Sequence, residues 1–426
     1  MIESAISKIG VLLGLGFGEA GAEIIGQNMV RVGDMELMMA GRKQYAIFGF
    51  CDIRNFTDAT EVLQEEVMVF VNTIAKVVHS IVDKYLGAAN KNIGDAFLLV
   101  WKFQQTDNDN GKLLLLFLLF LFFHSTSSSS SSSFPFTPSS SSPTSLKLYL
   151  SFLVVATFQP PPRTRSTKNI ADLSLLAFCK IIAAINKKPS VLQYRSNPQL
   201  SLRIPNYSVK MGFGLHVGWA IEGAIGSSYK IDASYLSPNV NLASRLEAAT
   251  KQYGVPILLS NALYSHLSKK TRSYLRQIDY VTVKGSRNPI GLYTIDLELG
   301  GLEVSSGKIG NRRKTKAKHL MKKSYIFESA LVEGYKVGRF FELDEDLAAM
   351  MKEVLGERFG RFRKVFGEGF EAYGKGEFGR AVELFKEGIR VKGREDGPSR
   401  ALINFLEENG ERVRKDWKGY RELTEK

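Results

Sequence analysis

The stretch Phe48-Gly49-Phe50-Cys51-Asp52-Ile53-Arg54-Asn55-Phe56-Thr57 decides the fold. Its apolar first half, reaching back to Tyr45, reads as a strand, and its second half as a turn opening a helix. Asp52 therefore stands where the chain leaves a sheet. Backbone N–H groups at such a turn, here those of Phe56 and Thr57, can hold phosphate, and the carboxylate can hold a hard cation bridging to it.

Working outward, a helical period follows from Val62, with Val67, Phe70, Val71, Ile74, Val77, Val78, Ile81 and Val82 on one face and Gly87 as its end. A hairpin fits Ala88 to Trp101. Its tip holds Lys91-Asn92-Ile93-Gly94-Asp95, which puts a second carboxylate at a turn. A helix is expected over Ile170 to Asn186, then strands at Val209 to Val217 and Ala220 to Ile225, and a helix through Val240 to Thr250. That last helix carries Asn239-Val240-Asn241-Leu242-Ala243-Ser244-Arg245-Leu246-Glu247, in which Asn241 and Arg245 lie one turn apart and share a face. A strand at Pro256 to Leu259, a short helix near Ala262 to Leu267, and strands near Ile278 to Lys284 and Ile290 to Ile295 follow. Strand and helix alternate, yet hairpins are frequent. The pattern predicts an α+β sandwich of the ferredoxin type rather than a doubly wound parallel sheet.

These strings, in this order, resemble the catalytic domain of class III adenylate and guanylate cyclases over residues 45 to 103 and 169 to 296, with Val281-Thr282-Val283-Lys284-Gly285 as the late lysine motif. The resemblance implies a βαββαβ core and a head-to-tail homodimer with composite active sites. It assigns Asp52 and Asp95 to two divalent cations, Mg²⁺ or Mn²⁺. Asn241 and Arg245 would orient the ribose and stabilise the transition state, Lys284 would bind the terminal phosphates, and Lys91 and Ser234 would read the purine. Asn55 stands where the family usually has glycine, and Ser234 where adenylate cyclases often carry aspartate.

The implied reaction explains the residue types. A 3′-hydroxyl attacks the α-phosphorus of its own nucleotide while pyrophosphate leaves, so cations serve both the nucleophile and the leaving group. Two carboxylates suffice as protein ligands because the triphosphate supplies others. Lysine only donates hydrogen bonds, which suits the unprotonated N1 of adenine and favours ATP. The Ser234 hydroxyl can donate or accept, and leaves GTP as the alternative. From other classes, a catalytically idle nucleotide-binding regulatory partner and a basic nucleic-acid binder stay open. The intact catalytic set speaks against the first, and the lack of aromatic residues between Lys308 and Lys323 against the second.

Composition and charge set the frame. The 426 residues, 44% apolar, are enough for a substantial core. Only Cys51 and Cys179 are present, which indicates neither a disulfide framework nor a zinc site. The net charge of +14 is uneven, with a basic run from Lys308 to Lys323 that reads as a solvated linker. No stretch reaches the roughly 20 apolar residues that span a bilayer, and Met1 is followed by Glu3 rather than a cationic leader. The expected location is the cytoplasm or the cytoplasmic face of a membrane, with any membrane or sensor region lying upstream. The expected organisation is an N-terminal helical or linker segment (1–40), a cyclase domain (41–300) interrupted by a low-complexity insertion (104–168), a basic linker (301–323) and a helical region (324–426). Within the last, Phe370, Tyr373, Gly376, Phe378, Ala381, Leu384 and Phe385 resemble one helical-hairpin repeat, which cannot stand alone. Three features are discounted. The glycine pattern from Gly16 to Gly21 lacks the βαβ context of a dinucleotide site, His216 reads as a satisfied core residue, and Cys51 alternates to the strand face opposite Asp52.

Overall fold

The computed structural model describes residues 21, 40–103, 167–227, 230–283, 288–302, 340–408 and 417–423. The chain divides into two units, one of residues 1–103 and 166–426 and one of residues 104–165. The second lies outside the described residues, as does the expected basic linker beyond residue 302.

In chain order the principal elements are β1 (Arg42–Ile53), α1 (Phe56–Leu63), α2 (Val67–Lys84), β2 (Ala88–Ile93), β3 (Ala96–Lys102), α3 (Thr167–Ile185), β4 (Met211–Ser227) and β5 (Lys230–Leu236). There follow α4 (Pro238–Tyr253), β6 (Ile257–Ser260), α5 (Asn261–His266), β7 (Leu275–Thr282), β8 (Ile290–Ile295), α6 (Glu345–Met351), α7 (Glu357–Lys375), α8 (Phe378–Lys392), α9 (Gly397–Glu408) and β9 (Arg421–Glu422). One sheet runs β2-β3-β1-β4-β6-β8-β7-β9, with β5 paired to β4 off this path. The segment β2-β3-β1-β4 is antiparallel throughout. It is the split βαββαβ arrangement of the expected α+β fold.

Strand alternation gives β1 two different faces. Ile47, Cys51 and Ile53 enter the main core, which includes Phe70, Ile74, Val78 and Val82 of α2 and Leu173, Phe178 and Ile181 of α3. Ala46 and Phe48 enter a smaller core with Leu98, Val100, Ala220, Ala233, Tyr235, Val240 and Ala243. Asp52 is in register with Gly212 of β4, on the side of the smaller core.

Several expectations change in detail. Gly87 does not end α2 by taking a left-handed conformation; Leu86 does, at φ 64°. Gly87 is required because a Cβ there would meet the Trp101 indole at 2.5 Å. The two strands expected at Val209 to Val217 and Ala220 to Ile225 are one strand, β4, and its hairpin partner β5 was not foreseen. Gly218 leaves β4 unbroken because it lies beneath the Asn239 side chain. The strand expected to reach Lys284 ends at Thr282, and Lys284 lies outside the described residues.

The C-terminal helices pack on the sheet domain within the same unit. Helices α7 and α8 form a hairpin turned at Gly376 (φ 82°). A buried arginine joins them to β7: Arg276 donates to Asp296 at 2.8 and 3.2 Å and to Asp396 at 2.9 and 3.0 Å, with its guanidinium 4.4 Å from the Phe366 ring. A second knot centres on the fully buried Asp279, which accepts from Tyr253 (2.6 Å), Tyr373 (3.2 Å) and Arg421 (2.7 Å). Beside it β9 adds a parallel strand to β7, and Leu423 donates its N–H to the Thr282 carbonyl. Among the described residues no single helix is long and apolar enough to cross a membrane.

Candidate functional site

The site begins with β1 and the β2–β3 turn. Asp52 is in register with Ala96, and the Ile53 N–H donates to the Asp95 carbonyl at 3.3 Å, so the two aspartates end adjacent strands side by side. Gly94, at φ 63°, makes this tight turn possible. Burial pushes the Asp52 carboxyl up to about 6, and the Asp95 charge adds to the rise against the pull of Lys251 and Arg54. A divalent cation would relieve this crowding of like charge. The donor set, two carboxylates at the mouth of a phosphate-type turn, fits a hard cation whose remaining ligands come from a triphosphate. Among the described residues no cluster of three or more His, Cys, Asp or Glu side chains could hold a metal by itself.

The turn itself holds its shape without glycine. Asn55 caps α1 in the left-handed conformation, φ 55° and ψ 37°. Asparagine tolerates that region better than most side chains, so it substitutes for the glycine usual there. Phe56 is half-buried and Thr57 exposed at the first turn of α1, where backbone N–H groups lack intrahelical partners.

Helix α4 lies against β4 with almost no spacer. A Cβ on Gly214 would meet the Ala243 carbonyl oxygen at 2.2 Å and the Glu247 nitrogen at 2.4 Å. Ser237 caps the helix, accepting from the Asn239 N–H, with Pro238 in its first turn, and Gly254 closes it at φ 60°. Asn239, Ala243 and Glu247 thus face the sheet. Asn241 and Arg245, each two residues on from a sheet-facing position, turn away, with Asn241 exposed. Within one chain the structure therefore brings Asp52 and Asp95 together and directs Asn241 and Arg245 elsewhere.

Arg54 and Glu247 lie within the same motifs, and the sequence pattern assigns neither a role. Arg54 pairs with Glu247 at 3.2 Å and donates to the Thr250 hydroxyl, tying the strand end to α4. Burial pushes the Glu247 carboxyl up to about 7, and although Arg54 lowers it, Asp52 and Asp95 oppose that pull. Asp232 was missed altogether. It sits on β5 opposite Ile225 and accepts from Lys91 Nζ at 3.0 Å; Ser234, two residues on, is opposite Gly223. The alternation through Lys230-Ile231-Asp232-Ala233-Ser234-Tyr235-Leu236 was the available signal, since Ala233 and Tyr235 are the buried members.

The discounted residues behave as expected. His216 is buried between Ser260 Oγ (2.7 Å from Nδ1) and Asn239 Oδ1 (3.1 Å from Nε2), and burial lowers it to about 4. Cys51 belongs to the main core on the face opposite Asp52, and burial raises its thiol. The glycines from Gly16 to Gly21 lie outside the described residues, Gly21 apart.

Comparison with known proteins places this geometry. The adenylate cyclase of Anabaena cylindrica is 35% identical over 121 residues, 28% of this chain and 24% of that protein. The terminal-differentiation-specific adenylate cyclase of Dictyostelium discoideum is 29% identical over 133 residues, 29% of this chain and 6% of that protein. The chain thus spans a quarter or less of these relatives' length. Among solved structures, a bacterial light-regulated adenylyl cyclase aligns at 18% identity and a TM-score of 0.44, covering 76% of this chain and 67% of that one. The guanylate cyclase domain from Catenaria anguillulae aligns at 16% identity and a TM-score of 0.36, covering 60% of this chain and 97% of that one. A model of the RasGEFs all helical domain matches residues 1–30. The model of the adenylate and guanylate cyclase catalytic domain matches residues 38–296, well over half of the chain, and the chain belongs to that family.

Proposed function

We propose that this chain is an adenylate cyclase that converts ATP to 3′,5′-cyclic AMP and pyrophosphate, for cyclic-nucleotide signalling, as a homodimer. The observation that carries the reading is the adjacency of Asp52 and Asp95, with Asp52 raised to about 6 by burial and by its neighbour. Two divalent cations held there, Mg²⁺ or Mn²⁺, would acidify the 3′-hydroxyl and neutralise the departing pyrophosphate. The N–H groups of Phe56 and Thr57 meet phosphate oxygens, and Lys284 binds the terminal phosphates. Asn241 orients the ribose. Arg245 donates to the α-phosphate as charge grows on it, a role in which loss of one donor commonly costs roughly 10²- to 10³-fold in rate.

The outward direction of Asn241 and Arg245 supports a composite site, in which a second copy supplies these two together with Lys91, Ser234 and Lys284. Lys91 supports ATP over GTP, because an ammonium can donate to adenine N1 but cannot accept from the N1–H of guanine. The test is product analysis after incubating purified protein with ATP or GTP and Mn²⁺. Cyclic AMP formation lost in both Asp52→Ala and Asp95→Ala is the expected result. Preference for GTP would make the chain a guanylate cyclase, and a folded protein idle with both nucleotides would make it a regulatory partner.

A further inference from the structure

Helix α4, which carries Asn241 and Arg245, is gripped at its far end by the C-terminal region. Its last residue, Tyr253, is fully buried. The Tyr253 hydroxyl donates to Asp279 Oδ2 of β7 at 2.6 Å and accepts from Arg421 Nη2 at 3.2 Å, while Arg421 Nε donates to the same Asp279 oxygen at 2.7 Å. The three groups close a triangle of hydrogen bonds. The Arg421 guanidinium also lies 5.6 Å from the Tyr253 ring and 4.8 Å from the Phe405 ring of α9. Backbone meets backbone at the same place: a Cβ on Gly397, the first residue of α9, would come within 2.1 Å of the Tyr253 carbonyl oxygen. Leu402, Ile403 and Leu406 of α9 share the main core with Leu246, Ala249 and Tyr253. Arg421 stands 168 positions beyond Tyr253, on a strand of two residues. So short a strand has few backbone bonds of its own, and the Arg421 side chain supplies its link to α4.

We propose that Arg421 is a positioning residue for the cyclase reaction: acting through Tyr253, it fixes the end of α4 and with it the placement of Asn241 and Arg245. The inference rests on the cyclase reading above, which gives those two residues their work. A helix rises about 1.5 Å per residue, so Arg245 lies about 12 Å along a stiff rod from Tyr253. The other polar ties of α4 lie nearer its start and middle, where Asn239 donates to the Trp219 carbonyl at 2.8 Å and Glu247 pairs with Arg54 at 3.2 Å. Loss of the tie at Tyr253 lets the helix tilt about those two, and a misplacement of about 1 Å can cost ~10²-fold in rate. The competing account is a buried ion pair that only stabilises the fold.

The test uses the full chain with ATP and Mn²⁺ and compares wild type, Arg421→Gln and Tyr253→Phe. The second variant keeps the ring and the Arg421–Asp279 pair and removes one hydroxyl, so it carries the test if Arg421→Gln does not fold. The value of kcat per folded chain should fall about tenfold in Arg421→Gln and about threefold in Tyr253→Phe, with KM for ATP within about twofold of wild type. KM should hold because Lys91 and the Phe56 and Thr57 N–H groups, proposed above to bind ATP, lie off α4. Amide hydrogen exchange should quicken in the last turns of α4 in both variants and stay unchanged in β1 and β3. A merely stabilising pair would lower the thermal midpoint and leave kcat per folded chain and α4 exchange at their wild-type values. That result would overturn the proposal, as would a fall in kcat without faster α4 exchange, or faster exchange at wild-type kcat. Wild type idle with both ATP and GTP would instead overturn the cyclase reading, while α4 exchange would still report whether Arg421 secures the helix.

Discussion

Replacing Gly214 by alanine is the sharpest probe of how the fold positions the proposed catalytic groups. The added Cβ would lie 2.2 Å from the Ala243 carbonyl oxygen, 2.4 Å from the Glu247 nitrogen and 3.1 Å from the Glu247 Cα, and all three are backbone atoms that cannot rotate away. Ordinary contact begins near 3.4 Å, so α4 must retreat from β4 by about 1 Å, a misplacement that can cost ~10²-fold in rate. Asn241 and Arg245 travel with the helix. Overpacking of this kind also lowers stability by about 1–3 kcal/mol. The assay is cyclic AMP production from ATP and Mn²⁺, run well below the thermal midpoint recorded for the same sample. Gly367→Ala is the control: Gly367 lies on an exposed turn of α7 with nothing within 4 Å of its Cβ position. That change should add about 0.5–1 kcal/mol of stability and leave the rate alone. A folded Gly214→Ala protein within threefold of wild-type activity would refute the claim that this seat positions Asn241 and Arg245 for the proposed reaction.

Asp52→Ala and Arg245→Ala should each be nearly inactive, yet co-expression should restore roughly a quarter of wild-type activity per chain, since half of randomly paired dimers are mixed and each holds one intact site; no recovery despite proven heterodimers would place the whole site within one chain. The folded pKa of Asp52, about 6, lies above its ordinary 3.8, so its contribution to stability is full below the ordinary value and lost as pH rises through 6. Mn²⁺ should therefore raise the thermal midpoint of wild type more at pH 7.5 than at pH 5, and an equal gain at both would contradict the assignment. Arg276→Met should cost about 3 kcal/mol in urea unfolding, the low end for breaking a buried pair, because Lys392 still pairs with Asp396 at 2.7 Å and Arg363 with Asp296 at 3.6 Å, and adding Asp396→Asn should recover part of that loss; a cost below 1 kcal/mol would show that the knot is dispensable.

Much of this was legible in the sequence because it rests on short-range pattern. The alternation of β1, the period of α2, and the asparagine and arginine one turn apart on α4 are local properties, and the fold kept them. The β4–β5 hairpin was misread for a physical reason. Gly218 looks like a break in a strand, whereas it gives up its side chain so that Asn239 of α4 can come close. Long-range polar partners carry no local signal. Nothing near Asp232 points to Lys91, and nothing near Arg276 points to Asp396, 120 residues away. Asn55 shows the converse case, a departure from the family's usual glycine that the backbone absorbs, because its left-handed φ is one asparagine accepts.

The two faces of the sheet are unequally cemented, and this bears on motion. The main core extends through α2, α3 and the C-terminal helices, whereas the smaller one beneath β5 has, among the described residues, nine buried side chains, four of them alanines on β1, β4, β5 and α4. Amide protons should report the difference. Those of β1 and β3 should exchange with solvent only through near-global opening, and those of β5 through excursions of lower free energy. The arm that carries Asp232 and Ser234 can then lift while the strands bearing Asp52 and Asp95 stay closed.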